Sequence, residues 1–256
     1  MRELFCVGKK FLVYNLVSRN LKIKYRRSIF GVFWTLLNPM GSALTYYFVF
    51  KVVFHIQIPH YLVFILTGVF PWTFFAQSVT EGMESLVGNF GLISKIPIPF
   101  QIFPMVGTLT NFVTLLLATP VLLGAMLFTQ SQFGWAIFLA PLLLLGLFVI
   151  TFCISTILSV GFIFFRDLRH LITIVMQLWF YATPVIYSET MMPEKYRWVF
   201  FVNPVGSYFI ALRRVVIDGA IPTLNTGLCI VGWTLAFLLL ALFVSRKSKQ
   251  GLVENI

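Results

Sequence analysis

The chain has 256 residues, of which 59% are hydrophobic and 11% are charged, whereas about 25% are charged in an ordinary soluble domain. This composition excludes a soluble globular fold, and the length allows about six membrane-spanning helices with short connections. The formal net charge is +11, but the basic residues cluster at the ends of apolar runs, which favours contact with anionic lipid headgroups over nucleic acid.

The N-terminal segment, residues 1–28, precedes the first apolar run. Leu4, Val7, Phe11 and Tyr14 follow helical spacing, which predicts an amphipathic helix lying in the membrane interface. These apolar residues form a stripe along one side of the helix, and the stripe ends after Val17. The alternative interpretation is that the segment is a solvated basic tail. The segment does not have the form of a cleaved signal peptide.

Apolar runs then predict an all-α integral membrane protein with six transmembrane helices in a single domain. Five of the spans fall within residues 29–187. The sixth span begins the segment 224–256, which ends in a cytoplasmic tail. The predicted spans are 32–54, 61–80, 105–129, 135–165, 171–187 and 224–244. The fourth run is long for one span, and the fifth is only just long enough to cross.

The connection 188–223 is too apolar for a simple solvated loop. Proline follows Met192 and Asn203, which predicts two short helices divided by a turn. We expect this segment to dip back into the outer leaflet as a re-entrant helical hairpin. Such backbone is tolerated in a membrane where it is buried in protein or lines a wet cavity.

The orientation follows from the distribution of charge. Six spans put both termini on one side, and that side would carry fourteen of the 19 Lys and Arg residues. Because cytoplasmic segments carry the excess of Lys and Arg, both termini are predicted to be cytoplasmic in a bacterial inner membrane.

The sequence lacks the residue patterns that are typical of ion-coupled transport, nucleotide binding and metal binding. No Asp or Glu falls centrally in a predicted span, although ion-coupled transporters usually need such groups or a broken-helix ion site. There is no phosphate-binding loop, and Cys6, Cys153 and Cys229 do not have metal-ligand spacing. We therefore expect no enzyme activity, cofactor or metal in this chain. A membrane-embedded enzyme and a secondary transporter remain distant alternatives.

Six short motifs occur in order along nearly the whole chain. They are Lys24 to Pro39, Gly68 to Trp72, Asn89 to Pro104, Phe165 to Asp167, Thr183 to Tyr187 and Asn203-Pro204. Together they resemble the type-2 ABC exporter permeases that move O-antigen or wall teichoic acid. One departure is Gln101, which stands where the family commonly has a basic residue.

The resemblance implies a homodimer that works with two copies of a separate ATPase subunit, which would bind the ATP and Mg. It further implies export of a polysaccharide on a lipid carrier such as undecaprenyl diphosphate. A capsular polysaccharide exporter permease is the alternative, and a drug or lipid exporter of the same class is a more distant one.

In this picture three cytoplasmic elements are able to receive force from the ATPase. They are the N-terminal segment, the loop from Glu81 to Pro104, which prolines stiffen, and the turn at Arg166 and Asp167. A helix-end pair holding two spans together is the alternative for that turn. The candidate coupling residues are Arg26, Arg27, Glu81, Glu84, Asn89, Lys95, Pro97, Pro99, Arg166 and Asp167.

A passage for sugars needs surfaces that hold many rings weakly, and aromatic faces do so through apolar contact. The candidate residues of the substrate path are Tyr46, Tyr47, Phe70, Trp72, Trp179, Phe180, Tyr181 and Tyr187. Ordinary aromatic belts and lipid contacts are the alternative interpretation. Pro71, Pro120 and Pro184 are candidates for kinks in the spans.

Overall fold

A computed structural model describes residues 7–25, 33–93, 98–130 and 134–251. Within these ranges the regular structure is helical and no strand occurs, so the prediction of an all-α fold is confirmed. The α-helices are α1 (Val7–Tyr25), α2 (Phe33–Tyr47), α3 (Tyr61–Gly88), α4 (Phe90–Ile93), α5 (Ile102–Phe128), α6 (Ala140–Phe164), α7 (Leu168–Ala182), α8 (Trp198–Val202), α9 (Gly206–Val216) and α10 (Leu224–Gly251).

Two kinds of irregular helix, a π-helix and 3₁₀-helices, extend this framework. A π-helix, Phe48–Val53, continues α2, and a 3₁₀-helix, Trp135–Leu139, leads into α6. Two further 3₁₀ turns, Glu189–Met191 and Glu194–Tyr196, precede α8. The predicted division of the connection 188–223 into short helices is thus confirmed.

Four helices among the described residues are long and apolar enough to cross a membrane: α3, α5, α6 with its 3₁₀ lead, and α10. The segments Glu194–Val202 and Gly206–Val216 meet at 106° and add a fifth crossing if they form one broken span. The structure therefore supports four of the six predicted spans by length and composition, and the possible fifth crossing lies in the predicted connection 188–223. The other two runs form α2 with its π-helical end and the 15-residue α7.

The fifth predicted span differs from the helix that forms there. The run 171–187 was predicted, whereas α7 begins at Leu168 and ends at Ala182. Thr183 is extended, with φ −98° and ψ 139°, because a residue before proline is disfavoured in the α region. Pro184 therefore ends the helix and does not kink it. At 15 residues α7 is about 22 Å long, shorter than the roughly 30 Å apolar core of a bilayer.

The second predicted span is too short at its C-terminal end. Helix α3 continues past residue 80 to Gly88, because Met83 and Leu86 are buried and extend its apolar contacts. Glu81 and Glu84 are consequently helix residues, not loop residues. On the far side of the predicted loop, Pro104 lies in the first turn of α5, where proline costs no hydrogen bond.

Helix α3 is the centre of the bundle and packs against α5, α6 and α2. Its contact with α6 is close, because Gly82 faces Ser155 and an added Cβ at position 82 would lie 2.6 Å from the Ser155 Cβ. The Ser155 hydroxyl donates a hydrogen bond to the Ser78 carbonyl at 3.0 Å. Small residues at a crossing let two membrane helices approach closely and hydrogen-bond.

The N-terminal segment is helical over Val7–Tyr25, in agreement with the sequence. Val13, Leu16 and Val17 are its buried face and pack against Ile102 and Val106 of α5. Phe11 and Tyr14, two members of the predicted stripe, are instead exposed, and Leu4 lies outside the described residues. The protein-facing side of α1 is thus separate from the predicted stripe, of which Phe11 and Tyr14 remain uncovered by this chain.

We name the two ends of the bundle the Tyr61 end and the Gly88 end, after the termini of α3. The turn between α8 and α9 points into the bundle between them: Phe209 lies 6.3 Å from Trp72 between ring centroids. Tyr208 shares a hydrogen bond with Thr234 of α10. Helix α9 then runs toward the Tyr61 end, where Arg213 reaches the loop after α7.

Candidate coupling and transport sites

A network of three polar side chains joins α1, α3 and α5 at the Gly88 end. Lys24 Nζ lies 3.3 Å from Glu81 Oε1 and donates a hydrogen bond to Asn111 Oδ1 at 3.1 Å. The amide nitrogen of Asn111 donates to Glu81 Oε2 at 2.8 Å. Asn111 is buried, and a buried amide is stable only when its partners are in place. The network therefore fixes the end of α1 against two helices of the bundle.

A second ion pair joins α3 to α7. Glu84 Oε1 lies 2.7 Å from Arg169 Nε, one turn of helix beyond Glu81. Arg166 and Asp167, which were predicted for this role, are both exposed. Arg166 lies 5.6 Å from the centroid of the Phe162 ring, and the Asp167 carbonyl accepts hydrogen bonds from the start of α7. The predicted turn is in the right place, but the residue that links two helices is Arg169.

The remaining coupling candidates stabilise the connection between α3 and α5 or lie outside the described residues. Asn89 caps α3: its side-chain amide donates to the Ser85 carbonyl at 2.8 Å. The Pro99 carbonyl accepts the Ile102 amide at 3.0 Å at the start of α5. Beneath this connection Leu86, Phe100, Phe103 and Val160 form a small apolar core. The candidates outside the described residues are Arg26, Arg27, Lys95 and Pro97.

Several aromatic candidates form one cluster between α2, α3 and α7. The Phe180 ring stacks on Tyr46 at 5.8 Å and meets Trp72 edge-on at 5.5 Å, between ring centroids. Phe75 links this group to Trp179 at 5.2 Å. Tyr181 adjoins Phe180 at 5.2 Å and is 60% exposed, whereas Trp72 is 8% exposed. Within this chain Tyr181 is accessible, and Trp72 is a packing residue.

The other aromatic candidates lie apart from that cluster. Tyr47 packs on Tyr61 at 6.2 Å. Phe70 is buried and faces a cavity of about 520 Å³ between α3, α5 and α6, which is lined by apolar side chains and two threonines. The Tyr187 hydroxyl donates to the Tyr181 carbonyl at 2.9 Å. The eight predicted residues are therefore not one continuous surface.

Arg213 was not predicted as a site residue, yet it organises the Tyr61 end. Its guanidinium nitrogens donate to the carbonyls of Val185 and Tyr187, and its Cζ lies 3.6 Å from the centroid of the Phe64 ring. Gly68 makes this approach possible, because an added Cβ there would overlap the Val185 carbonyl. A guanidinium that binds two carbonyls and an aromatic face holds the segment after α7 in one position.

Asn203 performs a similar structural task at the turn between α8 and α9. Its Oδ1 accepts hydrogen bonds from Trp179 Nε1 at 2.8 Å and from the Val205 amide at 3.1 Å. Its amide nitrogen donates to the Thr183 hydroxyl at 2.8 Å. The Asn203-Pro204 motif thus binds the hairpin to the end of α7.

Asn111 and Arg213 were not selected from the sequence, although each is a polar residue in an apolar segment. Asn111 is a single amide within a long apolar run, and Arg213 and Arg214 form a charged pair in a largely apolar stretch. Polar and charged residues in such segments need a partner and mark sites of structural or functional importance. The signal identifies the residue but does not identify its partner.

No protein-family model matches the chain. It is 34% identical over 242 residues to the O-antigen export system permease protein RfbA of Klebsiella pneumoniae, a match that covers 92% of each chain. It is 29% identical over 258 residues to RfbA of Myxococcus xanthus, covering 100% of this chain and 98% of the relative. The polysialic acid transport protein KpsM of Escherichia coli is 20% identical over 256 residues, covering 96% of this chain and 97% of the relative.

These relatives and the apolar helices agree on a multi-pass bacterial membrane protein. Because a relative with more than 30% identity spans nearly the whole length of both chains, the chain belongs to the family of O-antigen export system permeases.

Proposed function

We propose that this chain is the membrane permease of an ABC exporter that moves a lipid-linked polysaccharide across the cytoplasmic membrane. The observation that carries the proposal is the end-to-end similarity to permeases named for O-antigen export. The energy would come from hydrolysis of ATP, which would be bound together with Mg in a separate ATPase subunit. An undecaprenyl diphosphate carrier agrees with a chain whose long helices are apolar enough to cross a membrane.

In this proposal the Gly88 end faces the cytoplasm, together with both termini. Basic residues support this orientation: Lys24, Arg166 and Arg169 occupy the Gly88 end, and Arg246 and Lys247 lie near the end of α10. Cytoplasmic flanks of membrane helices carry the excess of Lys and Arg. Helices α2 and α7 would complete six crossings, with their shortness accommodated by neighbouring protein.

The pair α8–α9 would then be a re-entrant hairpin that enters from the outer side. Support comes from its turn, which is bound to the end of α7 through Asn203. The first turn of α9 also contacts Trp72 and Thr234, which lie well inside two crossing helices. Backbone at membrane depth is tolerated where it is buried in protein in this way.

Force from the ATPase would enter through the charged contacts at the Gly88 end. The network of Lys24, Glu81 and Asn111 connects the N-terminal helix to α3 and α5, and the Glu84–Arg169 pair connects α3 to α7. A displacement of α1 or of the α3–α5 connection is thereby transmitted to three helices at once. Arg26, Arg27, Lys95 and Pro97 flank these elements in the sequence and remain candidates for direct contact with the ATPase.

The polymer would pass between two copies of the chain. Supporting this, Tyr46 and Tyr181 lie on α2 and α7, and Tyr181 is exposed beside the buried aromatic cluster. An aromatic face that one copy leaves uncovered gives a sugar ring a weak apolar contact. A path lined from both copies needs the homodimer.

A capsular polysaccharide permease is the second candidate, because the KpsM relatives match over 96% of this chain. The identity of 20% to 21% is lower than the 34% to RfbA. O-antigen export is therefore the function that we favour.

The test is removal of this chain from the producing cells, followed by analysis of lipid-linked glycan and surface glycan. Accumulation of carrier-linked O-antigen inside the cells, reversed by the wild-type chain, is the expected result. Loss of capsule with intact O-antigen would select the second candidate. Unchanged surface glycan of both kinds would overturn the proposal.

The two-subunit arrangement has its own test. The chain purified alone should not hydrolyse ATP, and it should co-purify with an ATPase encoded beside it. Hydrolysis by the isolated chain would overturn the assignment of the energy step to a partner.

A further inference from the structure

A polar cavity of about 450 Å³ lies at the Tyr61 end, and no step described so far uses it. Its walls come from three places: the loop before α3, the segment after α7 and the C-terminal half of α9. Its volume is within the range of small-molecule sites, about 300–1,000 Å³. The polar side chains that matter are those of His60, Ser188, Glu189, Arg213, Arg214 and Asp218.

Two arginine side chains, Arg213 and Arg214, line this cavity. Their Nε atoms are covered by protein and make no hydrogen bond among the described residues. Arg213 as a whole is 8% exposed, and its other guanidinium nitrogens are used on the carbonyls of Val185 and Tyr187. A ligand in the cavity would therefore meet the positive charge of these side chains, and its hydrogen-bond partners would be the other polar groups of the wall, among them Ser188, Glu189 and Asp218.

The charges on the wall select the kind of ligand. The wall carries two guanidinium groups, Arg213 and Arg214, and two carboxylates, Glu189 and Asp218. The carboxylates repel a simple anion, and the guanidinium groups repel a cation. A neutral polyhydroxyl compound suits both, because each hydroxyl donates one hydrogen bond and accepts up to two.

The remaining wall favours a sugar over a smaller alcohol. Ile58, Ile210 and Ile217 line the same cavity, and their side chains suit the apolar C–H face of a pyranose ring. A mixture of apolar surface with a few convergent polar groups is typical of a ligand site.

The position of the cavity gives it a place in transport. Helix α3 has 28 residues and is therefore about 42 Å long. The cavity lies at its first residues and Glu81 and Glu84 lie near its last, so they are separated by about the depth of a membrane. In the orientation proposed above, the cavity opens on the side to which the polymer is delivered. We propose that it is a carbohydrate subsite that holds a short stretch of the exported glycan as it leaves the bundle. This inference rests on the proposed function.

The test measures binding of glycan to the complete permease–ATPase complex in nanodiscs. The probe is the glycan released by mild acid from the lipid-linked pool of the same cells, and inorganic diphosphate is the second probe. We expect the wild-type complex to bind the glycan and not diphosphate. The double variant Glu189→Gln with Asp218→Asn should bind the glycan with an affinity at least about tenfold lower than that of the wild type.

Matched controls come from the same hairpin. Glu194 is exposed outside the cavity, so Glu194→Gln should bind glycan like the wild type. Thr190→Trp fills the cavity from an exposed position and should weaken binding, whereas Lys195→Trp, on the exposed 3₁₀ turn, should not. ATP hydrolysis by each complex reports whether it is assembled.

Three results would overturn the subsite: no glycan binding to the wild-type complex, equal affinity in all variants, or competition by diphosphate, which would indicate an anion site. Each of these is distinct from failure of the proposed function. If cells without the chain retain their surface glycan, the proposed function fails. If export stops in those cells and the complex does not bind glycan, the carbohydrate subsite alone fails.

Discussion

Glu84 of α3 and Arg169 of α7 are joined by an ion pair of 2.7 Å between Oε1 and Nε. The side chains are 36% and 56% exposed, so the pair contributes at most about 1 kcal/mol to stability. Its role is to couple two helices, because a movement of the end of α3 is passed through the ion pair to the start of α7.

We therefore expect Glu84→Gln to lower export per ATP hydrolysed while leaving the folded permease at normal abundance. Exchange of the two charges, Glu84→Arg with Arg169→Glu, should restore export, because the pair is re-formed in reverse. Export and ATP hydrolysis are measured on membranes with matched amounts of permease. Normal export by the single variant would exclude a role in coupling.

Asn111 is buried between Lys24 and Glu81, and Asn111→Leu should loosen α1 from the bundle. The substitution removes the 2.8 Å hydrogen bond to the Glu81 carboxylate, and the loss costs about 1 kcal/mol, because the Glu81 side chain is 46% exposed and water can replace the donor. Thermal unfolding of the purified permease and limited proteolysis of α1 check this. Thr114→Ala, which removes a hydrogen bond within α5 alone, is the control that should leave α1 protected.

Gly68→Ala should destabilise the permease by about 1–3 kcal/mol, the usual cost of overpacking. The new methyl group would overlap the Val185 carbonyl and lie 3.0 Å from an Arg213 nitrogen. Gly124→Ala in α5 is the matched control, because nothing lies within 4 Å of its added Cβ. Since alanine is the better helix former, the control should be neutral or slightly stabilising. Equal unfolding temperatures for the two variants would contradict the close approach at Gly68.

Two aromatic residues on the candidate path should respond differently to alanine. Trp72 is buried among Phe75, Phe180 and Phe209, so Trp72→Ala should cost about 3–5 kcal/mol and reduce abundance. Tyr181 is 60% exposed, so Tyr181→Ala should leave abundance unchanged and reduce export if this face touches the polymer. The comparison is export divided by membrane abundance. A fall in export that only tracks abundance in both variants would make both residues structural.

The orientation is checked by labelling single cysteines in a chain without its native cysteines. A cysteine at Gln57 or Glu194 should react with an impermeant thiol reagent in intact cells, and one at Asn89 should not. Gln57 lies at the Tyr61 end and Asn89 closes α3 at the other end. Labelling of position 89 from outside would reverse the orientation.

The amino-acid sequence alone determined that the protein is a helical membrane protein, and it located most of its helices. The predicted runs 105–129 and 224–244 begin within three residues of α5 and at the first residue of α10. Asn203-Pro204 marked the turn between α8 and α9. These features are local: apolar length and proline stereochemistry act within a few residues of themselves.

Tertiary structure decided where helices extend or stop and which side chains meet. Buried contacts of Met83 and Leu86 carried α3 beyond its predicted end. The partners of Lys24, Asn111 and Arg213 lie 57, 87, 30, 26 and 28 residues away along the chain. Which residues pair across helices depends on the relative rotation and depth of the helices, and these are set by packing of the whole bundle and not by any local pattern.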